Sequence, residues 1–217
     1  MKILRDPLIP SSSDDLFSIE RHYHRLGHAF IVGIDEVGYG SLAGPVTVAA
    51  CILDESNPIE DIKDSKKFSS HEKRALVAQA IRDRALAYSI AHRSNRVIDE
   101  LGIVTALQQA QLECIEKLSL APDRILIDGT PYKETLGKNE DYLIKGDATV
   151  ACIAAASILA KVARDELMMY LASDFEEYDR YDIAQNKGYG TLKHRDALRE
   201  IGLSTLHRKS YCAHFID

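Results

Sequence analysis

The run GIDEVGYGSLAGP at residues 33–45 constrains this chain more than any other stretch. It places two adjacent carboxylates, Asp35 and Glu36, at the end of an apolar, β-prone segment and directly before a glycine-rich turn. Adjacent acids repel each other unless a cation compensates them, and carboxylate oxygens are ligands for hard divalent metals. Glycine lets backbone amides approach a phosphate or a sugar hydroxyl closely. The combination indicates metal-assisted phosphate chemistry at a strand end.

The composition is that of a folded globular chain. With 217 residues, of which 46% are hydrophobic, the sequence can bury the core of one generous domain. It contains no apolar stretch of membrane-spanning length, and residues 1–15 lack the apolar segment of a signal peptide. We therefore expect a cytoplasmic protein. The four cysteines are widely spaced, without a C-x-x-C pair, which predicts buried free thiols.

The distribution of charge is more informative than the net charge of −6. Between residues 187 and 209 the chain carries six basic residues and two acids. Such a segment is as typical of a solvated helix face as of a nucleic-acid contact surface, so by itself it leaves both interpretations open.

Hydrophobic periodicity predicts an α/β fold with a mixed sheet. Strands are predicted at residues 29–35, 46–53, 85–92, 124–127 and 142–144, and helices at residues 13–25, 70–84, 98–118, 150–171 and 191–201. Asp35, Asp128 and Asp147 each lie at or just past a predicted strand end, where α/β folds bind ligands. One such aspartate is more often a turn residue or a helix cap, but several together indicate a site.

A dinucleotide-binding turn is the main alternative for the glycine run. Gly38, Gly40 and Ala43 match its fingerprint loosely. However, Pro45 and a β-branched apolar segment follow, which predicts a strand where that fingerprint needs a helix N-terminus. The adjacent acids would also repel a pyrophosphate, so we do not favour a nucleotide cofactor.

Seven blocks of the sequence, in the same order, closely resemble bacterial ribonuclease HII: GIDEVGYGSLAGP (33–45), DSKKF (64–68), IDG (127–129), KGDA (145–148), AAASILAK (154–161), NKGYGT (186–191) and HRKS (207–210). The resemblance implies a ribonuclease H-like fold, with a central mixed β-sheet flanked by helices and a C-terminal helical extension. On that basis residues 1–29 form an N-terminal helical extension. Residues 30–217 form the catalytic domain, whose C-terminal helical part covers about residues 174–217.

The resemblance further implies an endonuclease that cuts the RNA strand of RNA–DNA hybrids and incises 5′ to a single ribonucleotide in duplex DNA. The products would carry 3′-hydroxyl and 5′-phosphate ends, and the implied role is the removal of misincorporated ribonucleotides. The partners would be these nucleic acids and no membrane, with a monomer as the default state. The family's four acidic positions fall on Asp35, Glu36, Asp128 and Asp147, all of which are acids here.

This acid set suits a mechanism with two Mg²⁺ or Mn²⁺ ions. Two divalent ions about 4 Å apart can activate a water and neutralise the leaving oxygen, and carboxylates are their natural ligands. We expect Asp35 to be shared between the ions, with Glu36, Asp128 and Asp147 completing the ligand shells. Adjacent strand residues face opposite sides, so Glu36 is expected to lie where the strand breaks toward the glycine turn.

The resemblance also assigns substrate contacts. The family's glycine-Arg-glycine turn, which reads the ribose and its phosphate largely through main-chain groups, falls on Gly38, Tyr39 and Gly40. Here tyrosine replaces the arginine, which removes a charged phosphate contact. Tyr189 matches the family tyrosine that packs on the sugar following the ribonucleotide. The candidate phosphate contacts are Lys145 and Lys187 and, more weakly, Lys66, His207 and Arg208.

Two alternatives stay open at the level of the sequence. Tyr39 is also compatible with a catalytically weakened member of the fold that binds hybrids through the basic C-terminal surface. Ser157 and Lys161, on the predicted long helix, fit a structural role as well as contact with substrate.

Overall fold

A computed structural model describes residues 15–62, 70–131, 136 and 139–215. Its centre is a five-stranded sheet in the order β3-β2-β1-β4-β5. The strands are β1 Ile31–Val37, β2 Val46–Ile52, β3 Ala87–Arg93, β4 Arg124–Asp128 and β5 Glu140–Leu143. β2 lies antiparallel to both β1 and β3, whereas β4 lies parallel to both β1 and β5. The predicted mixed sheet is confirmed.

Helices cover both faces of this sheet. They are α1 Ser18–Arg25, α2 His71–Arg84, α3 Asn95–Leu101, α4 Ile103–Lys117, α5 Ala151–Asp174, α6 Glu176–Asp179, α7 Ile183–Asn186, α8 Leu192–Ile201 and α9 Lys209–Cys212, with 3₁₀ turns at Gly146–Ala148 and Ala213–Phe215. Side chains of α3 and α4 pack on one face, and those of α2 and α5 pack on the other. None of these helices is long and apolar enough to cross a membrane.

Alternation along β1 divides its residues between the two faces. Val32 and Ile34 pack on the face covered by α3 and α4. Gly33 and Asp35 therefore lie on the face covered by α5. A Cβ added at Gly33 would lie 2.2 Å from the backbone carbonyl carbon of Cys152, so the absence of a side chain allows the strand and the helix to approach this closely.

Helix α5 is the main support beneath the sheet. Residues 151–156, at its start, are alanine, isoleucine and cysteine, and all of them are buried. Small side chains let this end of the helix lie close to β1. The sequence predicted a helix over residues 150–171, and the helix continues to Asp174.

The single helix predicted over residues 98–118 is divided in two by Gly102. This residue has a φ of +79°, outside the helical region, so α3 ends before it and α4 begins after it. Glycine adopts this conformation without the steric cost that a Cβ imposes. The first of the two helices also begins earlier than its periodicity indicated, because the Ser94 hydroxyl accepts a hydrogen bond from the backbone N–H of Val97.

Buried polar side chains tie α1 to the core. The Oε1 atom of Glu20 accepts a hydrogen bond from the backbone N–H of Cys152, at the start of α5, with a distance of 2.9 Å. Tyr23 donates a hydrogen bond of 2.6 Å to Asp141, and Arg124 forms an ion pair with the same carboxylate. Helix α1 thereby joins the start of α5 to β4 and β5.

Truncating Glu20 is expected to weaken this connection. Because Glu20→Ala leaves the backbone N–H of Cys152 without its acceptor, we expect a loss of about 1–3 kcal/mol in the free energy of unfolding. Glu20→Gln keeps an acceptor and should lose less. Urea denaturation followed by circular dichroism measures both variants, and equal losses would contradict the capping role.

The C-terminal helices surround a small core of their own. Tyr178, Tyr181 and Leu198 are buried there together with Ala43, from the glycine run, and Met168, from α5. This region therefore packs directly against the segment that follows β1. All four cysteines of the chain are free and buried, as the sequence predicted.

Candidate active site

Three aspartates meet at one edge of the sheet. Asp35 lies in β1, Asp128 ends β4, and Asp147 lies in the 3₁₀ turn that follows β5. Because β4 runs parallel to both β1 and β5, the carboxyl ends of the three strands lie side by side. One carboxylate oxygen from each aspartate lies within 4.8 Å of the other two. The structure therefore brings together three of the four acids expected in the metal site.

A close approach of the backbone brings the 3₁₀ turn to this edge. The N–H of Gly146 donates a hydrogen bond of 2.7 Å to Oδ1 of Asp128. A Cβ added at Gly146 would lie 2.7 Å from the Cδ1 atom of Ile153, on α5. Glycine at this position therefore lets the turn enter the space between β4 and α5 and place Asp147 beside Asp128.

Glu36 lies apart from the three clustered aspartates. Strand β1 continues through Glu36, which pairs with Val48, and ends at Val37. The expected break at Glu36 is therefore wrong, and alternation places this residue on the opposite face from Asp35. Burial, followed by the charges of Asp35 and Asp128, raises the pKa of Glu36 to about 8. Its carboxyl group thus remains electrostatically coupled to the cluster.

The clustered aspartates also have raised pKa values. Burial raises the pKa of Asp35 to about 7, although a hydrogen bond from the Ser157 hydroxyl opposes the shift. Burial, followed by the charge of Asp147, raises the pKa of Asp128. Burial is the largest cause of both shifts, and repulsion between the clustered carboxylates adds to it. A cluster of carboxylate oxygens is the donor set that Mg²⁺ and Mn²⁺ prefer, so these residues fit a divalent ion.

The metal-free protein is expected to lose stability as the pH rises. The pKa values of Asp35 and Glu36, about 7 and about 8, lie above the value of about 4 that both side chains have in an unfolded chain. At pH values between the unfolded and the folded pKa, the folded chain holds protons that the unfolded chain has released. The free energy of unfolding therefore falls as the pH rises from about 5 to about 8.

Thermal denaturation in EDTA at about pH 6 and about pH 8 measures this dependence, and the Asp35→Asn variant should reduce it. A melting temperature that rises over the same interval would contradict the assignment of these two carboxyl groups as the source of the effect.

The glycine turn directly follows β1. Gly38 has a φ of +89°, and a Cβ added there would lie 2.2 Å from Nε of Arg164. The carbonyls of Gly38 and Tyr39 accept hydrogen bonds of 2.7 and 2.9 Å from Arg208. Tyr39 is 40% exposed, and Gly40 is exposed. One side of the turn is therefore fixed to the interior, whereas the other is accessible to a ligand.

The remaining substrate contacts predicted from the resemblance lie on two further loops. Lys145 is exposed and immediately precedes the 3₁₀ turn. Lys187 is half-buried, its Nζ donates a hydrogen bond to the carbonyl of Ala184, and burial lowers its pKa. Tyr189 is half-buried, with its ring centre 5.3 Å from the guanidinium carbon of Arg164. Of the two lysines, Lys145 is the more accessible to a phosphate.

The weaker phosphate candidates are not surface contacts where the structure describes them. His207 and Arg208 are 1% and 0% exposed, and both side chains form hydrogen bonds within the protein. Their prediction as phosphate contacts is therefore wrong, because a buried group cannot reach a phosphate at the surface. Lys66 lies outside the described residues.

Side chains of α5 contact the site from below. Ser157 forms a hydrogen bond with Asp35, and Lys161 forms an ion pair of 2.8 Å with Asp165. Arg164 was not predicted from the sequence, although its guanidinium donates a hydrogen bond to the Pro45 carbonyl of the glycine run. The available signal was an arginine at a position of α5 that helical periodicity assigns to the buried side.

Solved structures share this fold. Ribonuclease H2 from Pyrococcus horikoshii OT3 aligns with a TM-score of 0.71 at 22% identity, covering 86% of this chain and 97% of that chain. The structure of the PCNA:RNase HII complex from Archaeoglobus fulgidus gives a TM-score of 0.71 at 24% identity over the same shares. Bst-RNase HIII in complex with Mn²⁺ gives a TM-score of 0.62 at 21% identity, covering 89% and 72%. The fold class is therefore the ribonuclease H-like fold that the resemblance implied.

Sequence relatives narrow the class to one family. A protein named ribonuclease HII from Endomicrobium trichonymphae is 40% identical over 197 residues, 91% of this chain and 92% of its own. Another of that name, from Clostridium perfringens (strain SM101 / Type A), is 44% identical over 85% of this chain and 67% of its own. The family model for ribonuclease HII matches residues 32–214. The chain belongs to the ribonuclease HII family, and it is accordingly a hydrolase that acts on the RNA of RNA–DNA hybrids.

Proposed function

We propose that this chain is a metal-dependent endoribonuclease that cuts the RNA strand of hybrids and also incises 5′ to a single ribonucleotide in duplex DNA. The products carry 3′-hydroxyl and 5′-phosphate ends, and the cellular role is the removal of misincorporated ribonucleotides. The observation that carries the proposal is the convergence of Asp35, Asp128 and Asp147 beside an accessible glycine turn. Membership of the ribonuclease HII family supports it.

The acidic residues provide the proposed metal centre. Asp35, Asp128 and Asp147 would hold Mg²⁺ or Mn²⁺. Glu36, which is coupled to this cluster by charge but lies outside it, would have to turn toward the ions to complete the ligand set. When bound, divalent cations stabilise charge on the scissile phosphate and its leaving oxygen and favour ionisation of an attacking water. The hydrogen bonds from Ser157 to Asp35 and from the Gly146 N–H to Asp128 hold the carboxylates in position, so little reorganisation is needed on binding. These ligands and ions are the catalytic machinery of the proposal.

The substrate would lie across the glycine turn. The backbone amides of Tyr39 and Gly40 would bind the ribose and its phosphate, including the 2′-hydroxyl that distinguishes RNA from DNA. Tyr189 would pack on the sugar that follows the ribonucleotide. Lys145 and Lys187 would contact flanking phosphates, which position the duplex without reading its sequence.

A gel assay on duplex DNA that contains one ribonucleotide tests the proposal. With Mg²⁺ or Mn²⁺ we expect one cut, on the 5′ side of the ribonucleotide, and no cut in an all-DNA duplex. EDTA and the Asp35→Asn variant should each prevent the cut. No cleavage by the unaltered protein, or full cleavage by Asp35→Asn, would contradict the proposal.

A catalytically weakened hybrid binder is not favoured. Such a protein has no need of the carboxylates, yet Asp35, Asp128 and Asp147 are all present and clustered. The expected effect of Tyr39 is therefore on substrate affinity rather than on the acid cluster.

Tyr39→Arg is expected to tighten the binding of ribonucleotide-containing duplex by about tenfold, because it adds one charge-assisted contact to a phosphate. Fluorescence anisotropy with Ca²⁺ in place of the catalytic ion measures the affinity. Tyr88→Arg adds the same charge at an exposed tyrosine of β3 and serves as the control. Equal tightening in both variants would mean general charge attraction, and no tightening would mean that side chain 39 does not reach the substrate.

A further inference from the structure

Two fully buried arginines lie beneath the glycine turn. Arg164, on α5, and Arg208, just before α9, are each 0% exposed. Within the described residues, no carboxylate forms an ion pair with either guanidinium; their partners are backbone carbonyls, the Ser41 hydroxyl and the aromatic side chains of Tyr189 and Tyr211. Burial and then the charge of Arg164 lower the pKa of Arg208 to about 10, and burial lowers the pKa of Arg164. A guanidinium nevertheless keeps its charge in proteins at neutral pH. Burying two like charges without an acid is costly, which indicates a role other than stability.

Arg208 fixes the orientation of the peptide groups in the turn. Its guanidinium donates hydrogen bonds to the carbonyls of Gly38, Tyr39 and Gly44, at 2.7, 2.9 and 3.0 Å. In a trans peptide the N–H points opposite to the carbonyl. The N–H groups of Tyr39 and Gly40 therefore both point away from Arg208, toward the exposed side of the turn. Neither donates a hydrogen bond within the part of the chain that the structure describes.

Arg164 joins the same turn to the loop that carries Tyr189. Its Nε and Nη2 donate hydrogen bonds to the carbonyls of Pro45 and Ala43 and to the hydroxyl of Ser41, at 2.9, 3.1 and 2.9 Å. Its Nη1 donates to the carbonyl of Lys187 at 2.8 Å. The Arg164 side chain, held by four hydrogen bonds, thus connects the glycine turn to the loop that carries Tyr189.

The charge of Arg208 lies on the inner side of the two peptide groups whose N–H groups point outward, and Arg164 lies beside Gly38 in the same turn. A pair of adjacent outward amides forms a concave site for an anion, and a charge behind the peptides strengthens their dipoles because the interior screens poorly. The side chain of Tyr39 supplies no positive charge that would attract a phosphate. The buried arginines on the inner side of the turn supply that attraction instead.

We propose that Arg208 and Arg164 are positioning residues for ribonucleotide recognition: Arg208 orients the Tyr39 and Gly40 amides toward the substrate, and Arg164 holds this turn at a fixed position relative to Tyr189. The inference rests on the proposed function, since it assigns recognition of the ribonucleotide to the same turn. Neither arginine touches the substrate. Lysine keeps the charge but cannot reproduce the planar fork of a guanidinium, so an Arg→Lys change isolates the geometry.

The test compares the affinity of the full chain for two duplexes in Ca²⁺, one all-DNA and one with a single ribonucleotide. In Arg208→Lys we expect the preference for the ribonucleotide duplex to fall by about tenfold, because one good polar contact is lost. The affinity for Mn²⁺, measured by calorimetry, should not change. Arg124→Lys is the matched control. Arg124 is half-buried, pairs with Asp141 and begins β4, at the end of the sheet away from the glycine turn. Its replacement should lower the melting temperature and leave the preference for the ribonucleotide duplex unchanged.

An unchanged preference in folded Arg208→Lys would overturn the inference, as would an unaltered protein without any preference. If Arg208→Lys does not fold, the same affinity comparison is made with Gly38→Ala, whose added Cβ displaces Arg164 from the side of the turn. An unchanged preference for the ribonucleotide duplex in Gly38→Ala would also overturn the inference. Failure of the proposed function gives a different result, namely no cleavage of the ribonucleotide duplex by the unaltered protein in Mg²⁺ or Mn²⁺.

Discussion

Asp128→Asn is expected to reduce cleavage by more than about 100-fold, since even partners that only orient metal ligands contribute up to that factor. Asparagine has nearly the shape of aspartate and can still accept the hydrogen bond from the Gly146 N–H. The substitution removes one negative charge from a cluster in which Asp147 and Asp128 repel each other. The expected loss is therefore in metal binding and catalysis rather than in folding.

The same substitution should leave the metal-free protein as stable as before, or more stable, because it relieves repulsion within the cluster. Thermal denaturation in EDTA measures this alongside the cleavage assay. Asp123→Asn is the control, since Asp123 lies just before β4, at the opposite end from Asp128, where it accepts hydrogen bonds from the backbone N–H groups of Ala29 and Phe30. It should retain full activity. A large drop in the metal-free stability of Asp128→Asn would mean that the acids are structural.

Gly33→Ala is expected to lower the free energy of unfolding by about 3 kcal/mol or more, at the upper end for overpacking of a core. The added Cβ would lie 2.2 Å from the carbonyl carbon of Cys152 and 2.3 Å from the backbone nitrogen of Ile153. Both are backbone atoms of α5, so relief requires the helix to move away from β1. Because Ser157 on α5 contacts Asp35 on β1, the metal site should also be disturbed.

Urea denaturation measures the first effect, and cleavage at low temperature measures the second. Gly27→Ala is the matched control, since a Cβ there meets nothing within 4 Å; only backbone strain of about 1 kcal/mol is expected. A loss in Gly33→Ala no larger than in Gly27→Ala would show that β1 and α5 can separate without cost.

The sequence predicted the parts of this molecule that depend on local pattern. Apolar β-prone runs gave the strands, and because parallel strands end at one edge, the convergence of Asp35, Asp128 and Asp147 could be predicted before any coordinates. These features depend on periodicity and strand direction, which are visible along the chain.

Other features depend on contacts between distant segments. Nothing near Arg208 shows that its side chain bonds to carbonyls at residues 38, 39 and 44, and a basic run is normally solvated. The capping of α5 by Glu20 joins residues separated by more than half the chain. Glu36 was misplaced for a different reason: the local rule of alternation was correct, but the metal hypothesis required a strand break, and the ladder with β2 continues past it.

Anomalous diffraction from crystals of this protein soaked in Mn²⁺ tests the central claim most directly, namely that folding gathers these acids into a metal centre. The account predicts Mn²⁺ peaks between the carboxylate oxygens of Asp35, Asp128 and Asp147, and their loss in crystals of Asp128→Asn. The account would be contradicted if Mn²⁺ peaks appeared only elsewhere on the surface and none lay between these carboxylates.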